Sequence, residues 1–135
     1  MLNIDKIKEQ VGYNNPATEP QIRICNLKLK QNNLPELPAD YAEILKICNG
    51  FSNEDVSVFG VEIKNNNWFK DVASFNIDYF HGNAAQWLIL GEDDFFFFVY
   101  DAAQKKYYIV DRDSFEEELC STDCALPIEY ILRIE

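Results

Sequence analysis

Leu34-Pro35-Glu36-Leu37-Pro38-Ala39-Asp40-Tyr41-Ala42-Glu43-Ile44-Leu45-Lys46-Ile47-Cys48-Asn49-Gly50 reads as one helix with both of its ends written in. Pro38 suits the first helical turn, where a missing N–H costs nothing. Asp40 sets a negative charge near the positive end of the helix dipole. Leu37, Tyr41, Ile44, Leu45 and Cys48 fall on one face at helical spacing. Asn49-Gly50 offers the left-handed residue that ends a helix.

On the N-terminal side of this stretch, residues 4–12 carry Ile4, Ile7 and Val11 on one side of a short helix, broken by Gly12-Tyr13-Asn14-Asn15-Pro16. Thr18-Glu19-Pro20 then reads as a helix start, with Thr18 as N-cap. Ile22, Cys25 and Leu29 continue that helix. Ile22/Ile24 and Leu27/Leu29 also alternate as a strand would, and the start signal decides for helix.

On the C-terminal side the period changes. Val56, Val58 and Val61, with Phe59-Gly60, predict short strands and a turn. Lys64-Asn65-Asn66-Asn67 is a polar loop, and residues 71–80 form a helix with Val72, Phe75 and Tyr79 on one face. His81 sits at that helix's end, before Gly82. Trp87-Leu88-Ile89-Leu90 is a strand ended by Gly91-Glu92-Asp93-Asp94. Residues 95–100, four Phe followed by Val-Tyr, are a second strand. Residues 107–110 are a third. The second is apolar at odd and even positions, so both its faces need cover and it belongs inside an antiparallel meander. Asp113 then reads as the N-cap of a helix over residues 114–119 with an acidic first turn. Pro127 opens a last helix carrying Ile128, Ile131 and Leu132.

Several of these features resemble the SUKH superfamily, the SMI/KNR-like domain. The LP-x-x-Y-x-x-x-L-x-x-x-NG pattern of residues 37–50 is similar to its opening signature. Phe59-Gly60, Leu88-Ile89-Leu90-Gly91, Tyr100-Asp101 and Asp111 with Ser114-Phe115 and Leu119 follow in the family's order, over residues 34–119. Two features depart from the family: Ile44-Leu45 replaces its Phe-Leu pair, and Glu92-Asp93-Asp94 with the Phe run replaces Gly and smaller residues. The resemblance implies an α+β fold, with N-terminal and C-terminal helices packed on a largely antiparallel sheet in one domain over residues 1–135. It also implies a role like that of bacterial immunity proteins, which bind and block a cognate toxin, often a nuclease. A yeast regulator of cell-wall synthesis in the same family supplies the alternative, an adaptor that binds a cellular protein or small ligand.

The bulk composition is compatible with a binding protein. A chain of 135 residues suits a single domain and buries a substantial core. No apolar run approaches the ~20 residues of a membrane helix, and Met1-Leu2-Asn3-Ile4-Asp5-Lys6 has no signal-peptide block. The expected location is the cytoplasm and no membrane association is expected. Of the net charge of −11, residues 1–67 hold 7 basic and 9 acidic side chains, or −2, and residues 68–135 hold 5 and 14, or −9. An acidic half is the wrong sign for nucleic acid and the right sign for a basic protein, although solubility alone also explains it.

No constellation of catalytic residues stands out. His81 is the only histidine, and the glycines form no phosphate loop. Cys25 and Cys48 read as core. Cys120 and Cys124 are four apart, the spacing of one helical face, but lack the paired spacing and further ligands of a zinc site. Asp93/Asp94 and Asp111/Asp113 have acid–base or cation-binding chemistry, but a turn and a helix cap account for them more simply. We therefore assign no catalytic residue, cofactor or metal. The chain is expected to be a non-enzymatic monomer or weak homodimer whose basic toxin-domain partner meets Glu92, Asp93, Asp94, Asp111, Asp113 and Glu117, with Trp68 as an apolar anchor.

Overall fold

A computed structural model describes residues 2–64 and 68–135; residues 65–67, most of the expected polar loop, lie outside them. The fold is α+β. Among the described residues the seven strands are β1 Gly12–Tyr13, β2 Phe51–Asn53, β3 Val56–Val58, β4 Trp87–Glu92, β5 Phe96–Asp101, β6 Lys106–Asp111 and β7 Glu117–Ser121. They form one sheet in the order β1 to β7, each antiparallel to the next. Five helices among the described residues accompany it: α1 Ile4–Gln10, α2 Glu19–Gln31, α3 Ala39–Leu45, α4 Val72–Phe80 and α5 Ala125–Leu132.

The Phe run lies inside the meander, as its composition demanded. Phe97 and Phe98 are both buried, on opposite faces of β5. Phe97 meets Phe75 and Tyr79 of α4 at ring distances of 6.4 and 5.4 Å. Phe98 meets Tyr41 of α3 at 6.0 Å and Tyr107 of β6 at 5.9 Å. One sheet face is therefore covered by α4, with α2 packed on α4, and the other by α3 and α5. Burying each such ring contributes about 2–3 kcal/mol. Phe95 falls outside the strand and is 64% exposed.

Helix α2 starts as expected. Thr18 accepts from the Gln21 N–H while Gln21 reaches back to the Thr18 N–H, closing a capping box. The strand alternative would have buried Ile24 and Leu27, which are exposed; Ile22, Cys25 and Leu29 are buried instead. The LP helix buries its whole apolar face, but its ends differ from expectation. Pro38 is the N-cap and not the first turn, and the helix stops at Leu45. Asn49 is instead buried and clasps another segment: its Oδ1 accepts from Val61 N at 2.7 Å and its Nδ2 donates to Val61 O at 2.9 Å. Gly50 does adopt a positive φ of 96°, where a Cβ would lie 3.0 Å from Val58 O.

Other expectations shift. Gly12-Tyr13, read as a helix breaker, also pairs with β2. Strand β4 runs on through Gly91 and Glu92, with a bulge between Ile89 and Gly91. Helix α4 buries Val72, Ala73 and Asn76, not Val72, Phe75 and Tyr79. Asn76 displaces the apolar face because its amide bonds Ile89 on both sides, 2.7 Å from its N and 2.8 Å from its O.

The largest departure follows β6. Residues 114–119 form no helix, so neither the Asp113 cap nor the closing helix implied by the resemblance exists. Asp111, not Asp113, holds the turn, accepting from the N–H groups of Asp113 and Ser114 at 2.8 and 3.0 Å. The chain then pairs back as β7. Cys120 is consequently exposed on a strand while Cys124 is buried at the start of α5, and the two share no helical face. Pro127 sits inside the first turn of α5, and Ile128, Ile131 and Leu132 are buried as expected.

Candidate functional site

Three hairpin turns that follow β4, β5 and β6 are each closed by an aspartate at the end of the preceding strand. Asp93 accepts from the N–H groups of Phe95 and Phe96 at 2.8 and 2.7 Å. Asp101 accepts from Ala103 and Gln104 at 2.9 and 3.3 Å. Asp111 does the same for its own turn. These N–H groups hold the Asp111 carboxyl below its ordinary pKa. An aspartate suits the position because its short carboxylate reaches donors two and three residues ahead. Two of the residues expected to meet a partner, Asp93 and Asp111, thus act within their own turns.

Glu92 is also engaged inside the protein. It is buried, and its carboxylate pairs with Lys70 and lies 3.0 Å from Arg112 Nη1. The same Arg112 donates to the Asp93 carbonyl at 2.8 Å and stands 4.7 Å over the Phe97 ring. Arg133 is 3.6 Å from the buried Asp93 carboxylate. Glu92 and Asp93 therefore hold β4, β5 and β6 together and present no free charge outward, which corrects their expected role at a surface. Neither the Lys70 nor the Arg112 partnership was visible from sequence spacing.

The turn held by Asp111 has a second effect. Phe115 adopts a left-handed φ of 60° and its N–H donates to Asp111 O at 2.9 Å. Its ring folds over the sheet, 5.9 Å from Trp87 and 6.4 Å from Phe97. Between Phe115 and α4 lies an open hollow of about 350 Å³ lined by Tyr79, Phe80, Trp87, Ile89 and Val99. A smaller hollow of about 190 Å³ shares Trp87 and Phe115 with it and reaches Asp101, Tyr108 and Glu117. Together they make an aromatic trough from α4 toward β7, the last strand of the sheet.

The rim of this trough is acidic where Glu117 lines it, and the exposed Asp113 and Glu116 flank Phe115 in the chain. Glu118 turns to the other face of the sheet, where its carboxylate accepts from the Tyr130 hydroxyl of α5 at 3.3 Å. Of the expected partner-binding residues, Glu117 lines the trough and Asp113 belongs to the turn that carries Phe115. Asp94 is exposed at the neighbouring turn, beside exposed Phe95. Trp68 is 59% exposed and lies outside the residues that line the trough. Sequence reasoning gave no role at a site to Trp87, Tyr79, Phe80 or Phe115. The Ser-Phe step after Asp111 was the available signal.

The thiols offer no nucleophile in the interior. Burial pushes the Cys25 thiol up to about 12, with Asp71 and Glu62 adding to the shift, and raises Cys48 and Cys124 as well. Among the described residues no three His, Cys, Asp or Glu side chains converge as metal ligands, and no helix is long and apolar enough to cross a membrane. No protein-family model and no curated protein matches the chain.

Proposed function

We propose that this chain is a non-enzymatic binding protein of the immunity type, which captures a basic toxin domain through the Phe115 trough. The observation that carries this reading is the pairing of the exposed aromatics Tyr79 and Phe115 with exposed carboxylates at Glu117, which lines the trough, and at Asp113 and Glu116 beside Phe115 in the chain. Aromatic anchors supply the energy of protein recognition, and a single-signed rim steers a partner of opposite charge and suppresses wrong ones. The resemblance to SMI/KNR-like immunity proteins points the same way, although its closing helix is replaced here by the Phe115 turn. A toxin that acts on nucleic acid needs a basic cleft, and an acidic rim is complementary to such a cleft.

Co-expression with the product of the adjacent gene, followed by co-purification, tests the reading. A complex that survives purification and weakens in Phe115→Ala supports it. A complex unaffected by Phe115→Ala, or the lack of any complex, contradicts it.

A further inference from the structure

A second concavity lies on the other side of the sheet from the trough, where α3 meets the first turns of α1 and α5. Its volume is about 590 Å³, within the ~300–1,000 Å³ range of ligand sites. Ile4, Ile44, Ile47 and Ala125 form its walls, and Ile47 is 48% exposed there.

The charged residues around it are Asp40, Glu43, Lys46 and Asp123, three acids against one base. Lys46 is taken up by Glu19 and Glu43, at 2.5 and 3.1 Å. The charge facing the cavity is therefore set by Asp40 and Asp123. The N-termini of α3 and α5 offset part of it, roughly half a charge each. About one net negative charge remains. Asp40 Oδ2 accepts from Cys124 N at 3.1 Å and its Oδ1 from the Tyr107 hydroxyl. Asp123 Oδ1 accepts from Ala125 N at 2.9 Å. The Cys124 thiol also bonds Asp40. With about four acceptor sites on each carboxylate, three bonds on Asp40 and one on Asp123 fix both in place and leave capacity for an incoming donor.

We propose that this groove binds an amphipathic organic cation, with a primary ammonium group against Asp40 and Asp123 and its hydrocarbon part between Ile4, Ile44 and Ile47. The combination favours this class over other small ligands. An anion meets like charge, and a neutral apolar molecule fills the groove without using the fixed, exposed carboxylates. An ammonium supplies three donors, and its bonds to carboxylates are charge-assisted.

The test is titration of the whole protein, followed by amide NMR, with n-octylammonium, 1-octanol and octanoate. We expect octylammonium to shift the amides of Ile44, Ile47 and Ala125, with an affinity about tenfold above that of octanol and octanoate weakest. Asp123→Asn keeps the carbonyl acceptor for Ala125 N and removes the charge, and should erase most of the difference between octylammonium and octanol. Ile47→Lys, at an exposed position, should abolish binding of both while leaving the rest of the spectrum unchanged. Equal binding of octanol and octylammonium overturns the proposal. Shifts confined to the Phe115 trough, or none at millimolar ligand, overturn it too.

Discussion

The Phe115 ring lies 6.4 Å from that of Phe97, at an interplanar angle of 29°, although the two are separated by the whole of strand β6. The turn closed by Asp111 makes this contact possible, and it places an exposed aromatic above a buried one. Truncating Phe115 should therefore separate binding from stability. Phe115→Ala is expected to lower the unfolding free energy only slightly, by less than about 1 kcal/mol, and to weaken the partner complex by about 2 kcal/mol or more. Calorimetry of the complex alongside thermal unfolding of the free protein checks both halves.

Glu92 should behave in the opposite way. Its carboxylate is buried between Lys70 and Arg112, whose side chains are each about one-third exposed. Solvent screening on the basic side reduces the cost of losing the pair. Glu92→Gln is expected to destabilise the fold by about 2 kcal/mol with little direct effect on partner affinity at temperatures where it remains folded. Urea titration measures the first, and binding at low temperature the second.

Asn49 and Gly60 form another close pair. A Cβ on Gly60 would sit 2.5 Å from Asn49 O and 2.6 Å from its Oδ1. Gly60→Ala and Asn49→Ala should each cost about 2 kcal/mol or more, the first by pushing Asn49 away from Gly60 and the second by stranding the buried Val61 N–H and C=O. Chemical denaturation of the two variants, and of the double variant, tests this. Because they disturb one contact, their effects should fall short of additive.

The Asp111 turn predicts a pH dependence. Backbone N–H bonds lower this carboxyl's pKa below its ordinary value of 3.8. The ionised form is therefore the one that stabilises the turn. That contribution is complete above 3.8 and is lost as pH falls through the lowered folded-state value. The amides of Asp113 and Ser114 should shift together with the Phe115 ring in an acid NMR titration, at a pH below 3.8. An Asp111 that titrates at or above its ordinary value would contradict the turn geometry.

These residues also show which parts of the fold were legible in the sequence. The apolar face of the LP helix, the Thr18 start, the interior position of the Phe run and the final helix all rest on local period or cap chemistry, and all are found. What was misread depends on partners far along the chain. Asn49 looked like a helix stop because its bond to Val61 cannot be seen locally. Residues 114–119 looked helical because an acidic first turn fits a helix, whereas β7 lies at the sheet edge with only Leu119 and Ser121 half-buried, and its residues Glu-Glu-Leu-Cys-Ser lack the apolar alternation that marks a strand. The candidate site was half legible: the acidic bias of residues 68–135 was plain. The removal of Glu92 and Asp93 from the surface depended on Lys70 and Arg112, about 20 residues away on either side.

The central claim is that the aromatic trough and its acidic rim form the partner surface. The most direct measurement is the affinity of the adjacent gene's product for the wild-type protein and for an Asp113→Lys/Glu117→Lys variant, each at low and at high salt. Both residues are exposed, so the variant should fold normally. The account predicts a weakening of at least about tenfold at low salt and a wild-type affinity that falls as salt is raised. Equal binding by the two proteins at low salt would contradict it.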